Sequence, residues 1–348
     1  MRTKSHPAAW QVIIGTARGI THVARHLPNQ DSAGSGRVAL VQGVVAAVAD
    51  GHGASRHFRS STGSMLAVRA ALAVVSEQTA GTAQPWNAEL ADSLCRLLPQ
   101  AITDRWRDLV ARHLGSHPYT AEEAAALKLA RDSDRIPYGS TLLVALIAGD
   151  WLVCAQIGDG DMLAVRPDGG AWFPVSGDDR LDGHRTTSLC QAGAVASFRT
   201  AAHDLRTEPL LALLLGTDGY GNAQAADPWQ PEVAMELAGF AAGHDHDWFR
   251  RQVPLWAERC ASASGSGDDT TIALLLAPDS MQRAAAARSA AGPDTAVSAP
   301  AAPTTESTAG STADSAAESS AESAAKITAA PRPGRFSAIR NRVFRARR

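Results

Sequence analysis

Cysteine is scarce in this chain, and the scarcity excludes two common ways of holding a fold together. Only four of the 348 residues are cysteines. Cys95, Cys154, Cys190 and Cys260 stand far apart with no Cys-x-x-Cys pair, so neither a zinc site nor a disulfide framework is expected. They read as reduced, mostly buried thiols. No apolar run is long enough to cross a bilayer. The N-terminal stretch M-R-T-K-S-H-P-A-A-W also lacks the apolar core and cleavage site of a secretory signal, so a cytoplasmic location is expected. An excess of positive charge is missing too, the formal net charge being −2. With no basic groove or aromatic platform in the core region, a nucleic-acid partner is not expected and a nuclease is disfavoured.

Hydrophobic residues make up 45% of the chain, enough for one large domain or two small ones with a substantial core. The character changes near Ala284. From there to Ala330, Ala, Ser, Thr, Pro and Glu dominate, too poor in large apolar groups to offset chain entropy. The expected division is a folded domain over 1–283, a disordered linker over 284–330 and a basic tail over 331–348. The tail interleaves Phe336, Ile339, Val343 and Phe344 with arginines. It suits an acidic surface, on a membrane or a protein partner, or serves only for solubility.

Within the folded part, apolar runs mark strands at Trp10–Ala17, Arg37–Gln42, Val44–Ala49, Ser140–Ala148, Trp151–Ile157, Met162–Val165, Ala171–Val175, Leu210–Leu215 and Thr270–Leu276. Helical stretches are expected at Ser55–Ser76, Asn87–His113, Thr120–Ala130, Pro231–Ala242 and Asp247–Ala261. The polar stretch Ser176–Arg206 reads as a mobile surface segment. Antiparallel strands in a meander, with helices inserted as a block, favour stacked sheets over an alternating parallel wind.

Several of these strands end in, or lead out of, Asp-Gly or Gly-Asp. Val44–Ala49 stops at Asp50, followed by Gly51, His52 and Gly53; Asp159, Asp218 and Asp268 stand in comparable places. A carboxylate at a strand end is fixed in position, and the glycines free the backbone to approach a ligand. Oxygen ligands without cysteine point to magnesium or manganese. Two such ions lower the pKa of a bridging water and clamp phosphate oxygens, which makes phosphate ester hydrolysis the natural reaction.

The segments N-Q-D-S (29–32), V-A-D-G-H-G (48–53), G-S-T-L-L-V-A-L (139–146), Q-I-G-D-G-D (156–161), L-L-G-T-D-G-Y (214–220) and G-D-D-T-T-I-A-L (267–274) occur in this order. In wording and order they resemble the protein phosphatase 2C family of metal-dependent serine/threonine phosphatases, in particular its bacterial branch with Gln-Asp at the first segment. The resemblance implies an α+β fold, an αββα sandwich of two antiparallel sheets flanked by helices, with a Mn/Mg pair in a cleft at one edge. By motif, Asp50 would bridge both ions, the Gly51 carbonyl would bind the second, and Asp218 and Asp268 the first. Asp159 matches a weaker third site, Asp31 a supporting carboxylate, and His52 a general acid for the leaving alkoxide. The substrates would be phosphoserine and phosphothreonine in proteins, opposing a serine/threonine kinase. Two departures stand out. Where many members carry a phosphate-binding arginine five residues before the supporting carboxylate, this chain has His26, with Arg25 adjacent and Arg18 nearby. Where many carry Glu beside that carboxylate, it has Gln30. These departures support an alternative, a weakly active or inactive phosphatase-like module that binds a phosphoprotein partner.

Overall fold

The computed structural model describes residues 9–38, 43–80, 86–130, 133–178, 181 and 186–290. The chain opens with strand β1 (Gln11–Ala17), a short helix α1 (Ile20–Ala24), and the antiparallel strands β2 (Ser32–Val38) and β3 (Gly43–Ala49). Helices α2 (Ser60–Thr79), α3 (Ala88–Ser116) and α4 (Ala121–Ala130) follow as a block. Strands β4 (Leu142–Ala148), β5 (Trp151–Ile157), β6 (Asp161–Val165) and β7 (Ala171–Trp172) come next, then helix α5 (Ala194–Ser197) and strands β8 (Arg199–Asp204) and β9 (Ala212–Gly216). Helices α6 (Asp218–Gly221), α7 (Gln230–Gly243) and α8 (His246–Cys260) lead to strand β10 (Thr270–Leu276) and helix α9 (Ser280–Ala290).

The strands form two five-stranded antiparallel sheets, ordered β1-β10-β9-β6-β7 and β2-β3-β4-β5-β8. They stack face to face with helices outside, so the α+β sandwich expected from the resemblance is the fold. The burial of β3 and β4 explains their unbroken apolar runs, since all seven positions of each are buried. On one face, Val44, Ala46, Val48 and Leu143 pack with Leu213, Leu215 and Leu275 of the other sheet. On the opposite face, Val45, Ala47 and Val144 pack with Leu66, Leu98, Ile102 and Trp106 of α2 and α3. Strands covered on both sides lose the alternation that a half-exposed strand shows. The outer face of the first sheet is covered in turn, Leu214, Ile272 and Leu274 meeting Leu237, Phe249, Val253 and Trp256 of α7 and α8.

Three expectations need correction. Ser176–Arg206 is not wholly irregular, because Arg199–Asp204 pairs with β5 as an edge strand. Its six residues, R-T-A-A-H-D, are all half-buried and include no large aliphatic side chain, so it lacks an alternation signal. The domain boundary at 283 falls inside α9, which runs to Ala290 and buries Ala284 to 1% exposure among core residues that include Val233, Leu237 and Ala241 of α7. Alanine, poor in apolar surface, is still the strongest helix former. The strand expected to start at Arg37 begins five residues earlier, at Ser32, directly after Asp31. The linker and tail expected beyond 290 lie outside the described residues.

Candidate metal centre and catalytic cleft

A cleft of about 640 Å³ opens where ends of both sheets meet. Arg25, Asp50, Gly51, His52, Asp159, Asp218 and Asp268 all line it. Residues more than 200 apart in sequence thus arrive at one place, because each ends or begins an element of the sandwich. Asp50 follows β3, Asp159 sits in the turn between β5 and β6, Asp218 opens α6 after β9, and Asp268 precedes β10. Asp31 is buried at 8% exposure and is not among the lining residues. His26 is exposed, in a left-handed conformation (φ 55°), and does not line the cleft either. Arg18 is turned onto its own loop, donating to the Leu27 carbonyl at 3.3 Å.

The Asp50 turn is tied down from both sides. The Asp50 N–H donates to Thr141 Oγ1 (3.0 Å) and its carbonyl accepts from the Thr141 N–H (2.9 Å). The Gly51 N–H donates to the Gln30 carbonyl at 3.1 Å. Only glycine fits at Gly51, since a Cβ there would lie 2.6 Å from the Gln30 carbonyl oxygen and 2.7 Å from that of Ser60. The β5–β6 turn needs a second glycine for a different reason, Gly158 having a φ of 102° that side chains rarely adopt. Thr186 Oγ1 then donates to Asp159 Oδ1 at 2.9 Å. Behind the cleft, Thr217 Oγ1 donates to Asp31 Oδ2 (2.9 Å) and accepts from the Thr271 N–H (2.9 Å), linking β2 to β9 and β10.

Electrostatics show what this packing costs. Burial, followed by the charges of Asp31, Asp218, Asp159 and Asp268, raises the Asp50 carboxyl well above the ordinary range. Burial pushes Asp31 up to about 8, and burial with the Asp159 and Asp268 charges pushes Asp218 to about 6. Asp218 also hydrogen-bonds the Asp50 carboxyl. Carboxylates forced together in this way are relieved by a cation, and an all-oxygen set is the donor chemistry of magnesium or manganese. The donor set therefore fits a divalent ion. Among the described residues, no group of three or more His, Cys, Asp or Glu side chains already stands positioned around one ion; the carboxylates share the cleft without closing on a point.

His52 lies in the same cleft, its N–H donating to the Gly139 carbonyl at 3.2 Å and its ring meeting that of His57 edge-on at 4.8 Å. Burial, with His57 beside it, pushes the imidazole down to about 4, so the ring is neutral near pH 7.

Sequence reasoning passed over Asp269. This carboxylate, 4% exposed, accepts the Gly19 N–H at Oδ1 (2.7 Å) and the Gln30 N–H at Oδ2 (2.6 Å), and pairs with His22 Nδ1 at 2.8 Å. It pins α1 and the Gln30–Asp31 segment to the start of β10. The signal was present as the second acid of G-D-D, one residue from Asp268. Asp161 was also passed over. It is pushed up to about 7 by burial, with Asp218 and Asp159 adding to the shift. The H-D-H at 244–246 has no part in the cleft. Asp245 caps α8 through the Trp248 N–H, and His244 stacks on Trp248.

Comparison with curated protein sequences gives no match. Among solved structures, an arginine-to-alanine variant of a bacterial serine phosphatase superposes with a TM-score of 0.51 at 15% identity, over 77% of this chain and 99% of that one. The serine/threonine phosphatase Stp1 from Staphylococcus aureus gives 0.51 at 14% identity, over 80% and 99%. The catalytic domain of the serine/threonine phosphatase PstP, solved with two manganese ions, gives 0.49 at 19% identity, over 77% and 97%. The sequence profile of protein phosphatase 2C matches residues 18–245, a span that holds Asp31, Asp50, Asp159 and Asp218, and the chain belongs to that family of serine/threonine phosphatases.

Proposed function

We propose that the chain hydrolyses phosphoserine and phosphothreonine in proteins, opposing a serine/threonine kinase. The supporting observation is the convergence of Asp50, Asp159, Asp218 and Asp268 on one cleft that also holds Arg25 and His52. Manganese or magnesium is the proposed cofactor, with Asp50, the Gly51 carbonyl, Asp218 and Asp268 holding two ions and Asp159 a third. Bound there, the ions supply an activated water and neutralise phosphoryl charge. The chain's own residues do the rest. Asp31, anchored by Thr217, sets the charge behind Asp50. Arg25 offers a guanidinium fork to the phosphoryl oxygens, the part for which His26, facing solvent, is badly placed. His52 donates the proton to the departing serine or threonine oxygen, and the arriving phosphoryl dianion is what draws a proton onto a ring that burial otherwise keeps neutral.

A module that only binds phosphoproteins draws its support from Gln30 and His26, and Arg25 in the cleft weakens the second. The deciding measurement is manganese-dependent turnover of a phosphothreonine peptide. Wild type should release phosphate only with the metal, and Asp218→Asn should not release it. Peptide binding without turnover at saturating manganese would replace the enzyme reading with the binding module.

A further inference from the structure

Helix α1 carries a histidine whose two ring nitrogens face different surroundings. His22 is 8% exposed, and its Nδ1 lies 2.8 Å from Asp269 Oδ2. That carboxylate already accepts the N–H groups of Gly19 and Gln30, so it is an acceptor and Nδ1 carries the hydrogen. In the neutral ring, the lone pair is left on Nε2. A carboxylate holding one imidazole nitrogen so that the other is presented to a metal is a recurrent way of fixing the tautomer and raising ligand basicity.

The far nitrogen faces Gly53. A carbon added to Gly53 would lie 3.8 Å from His22 Nε2 and 3.7 Å from Gln30 Oε1. Gln30 is 7% exposed, and its Oε1 is a buried acceptor with no hydrogen-bond partner among the described residues. A buried acceptor without a donor is costly, and the nitrogen lone pair that faces the same glycine offers no proton either. Two lone pairs beside one small space, at the rim of a cleft lined by Asp50 and Gly51, call for a cation.

We infer that His22 Nε2, backed by Gln30 Oε1, is a nitrogen arm of the divalent-ion site at Asp50 and Gly51, and that it biases this site toward transition ions over magnesium. The inference rests on the metal-dependent reading above. Magnesium prefers oxygen ligands and gives up its waters reluctantly, whereas transition ions accept imidazole. The neutral Gln30 fits the same logic, since it adds an oxygen without the charge that would hold magnesium.

Pulsed EPR on the full-length protein loaded with manganese tests this directly. A coordinated imidazole gives nitrogen modulation of the manganese echo, which should change when histidine is labelled with ¹⁵N. Modulation should vanish in His22→Asn, whose amide can still donate to Asp269, and persist in His52→Asn. By calorimetry, His22→Asn should lose manganese affinity by about 10- to 100-fold while magnesium affinity changes little. Should His22→Asn not fold, loss of modulation in His52→Asn would move the nitrogen to His52 and overturn the assignment. Manganese bound to wild type without nitrogen modulation overturns the inference and leaves the metal-dependent function standing. No manganese binding at all overturns both.

Discussion

Replacing Arg59 with Met would remove one charge and five hydrogen bonds while keeping most of the apolar stem. The guanidinium donates twice to Glu123 (3.1 and 2.7 Å), to the carbonyls of His117 and Pro118, and to the Tyr138 hydroxyl. It also lies over the Tyr119 ring at 4.4 Å. The Arg59 and Glu123 side chains are 13% and 25% exposed, between a surface pair worth about 0–1 kcal/mol and a buried pair whose rupture costs about 3–5 kcal/mol. With water free to replace the guanidinium at the exposed His117 and Pro118 carbonyls, the expected loss is about 2 kcal/mol at pH 7, read by urea denaturation. The pH dependence has a definite sign. Arg59 holds the Glu123 carboxyl below its usual range, so its contribution is present above the ordinary carboxylate pKa and lost as pH falls through the lowered one. The deficit of Arg59→Met should therefore shrink in acid. The site should feel the change too, because the guanidinium holds the Tyr138 hydroxyl and Gly139, next in the chain, accepts the His52 backbone N–H. A loss below about 0.5 kcal/mol, the range of an ordinary surface substitution, or a deficit unchanged in acid, would refute this reasoning.

His52→Ala should slow hydrolysis of a phosphothreonine peptide by something on the order of 10² to 10⁴ and largely spare p-nitrophenyl phosphate, whose phenolate needs little protonation; equal losses on both substrates would remove His52 as the proton donor. Burial, with Glu232 adding, pushes Glu236 up to about 7, so the penalty for ionising it in the folded state is absent below the ordinary carboxylate pKa and complete above about 7. After discounting for partial exposure, Glu236→Gln should stabilise the protein by about 1 kcal/mol at pH 8 and by nothing at pH 4, and thermal melts at the two pH values check this. Deleting residues 291–348, which lie beyond α9, should leave turnover of an aryl phosphate unchanged, and a fall in kcat would show that the tail contributes to the cleft.

Much of the fold could be read because its decisive strands are buried on both faces. Runs such as L-L-V-A-L-I-A and T-T-I-A-L-L-L leave no other explanation for their length and composition. What escaped were elements defined by partners and not by their own residues. Arg199–Asp204 is a strand because β5 offers an edge, and the four-residue α6 is a helix because Thr217 and Asp218 turn the chain out of β9. The aspartates at strand ends were legible for the same reason the strands were, since each acid directly adjoins an apolar run or its glycine turn. Asp269 was not, because an acid proposed to ligate and an acid that braces look alike in G-D-D. Only the donors that arrive from Gly19, His22 and Gln30 separate them.

The same distinction explains why counting five residues back from Asp31 lands on a side chain outside the cleft. Spacing to a motif predicts position only if the intervening backbone keeps its path. Here His26 adopts φ 55° at the end of α1, which turns the chain, so the residue at the expected offset faces solvent. Arg25 and His22, three apart and so neighbours on a helical surface, both line the cleft. The basic residue that lines the cleft is thus set by the helix, and the helix is held by Asp269 through Gly19 and His22. A brace one residue from Asp268 therefore sets which basic side chain lines the cleft, linking its acidic side to its basic side through a single carboxylate.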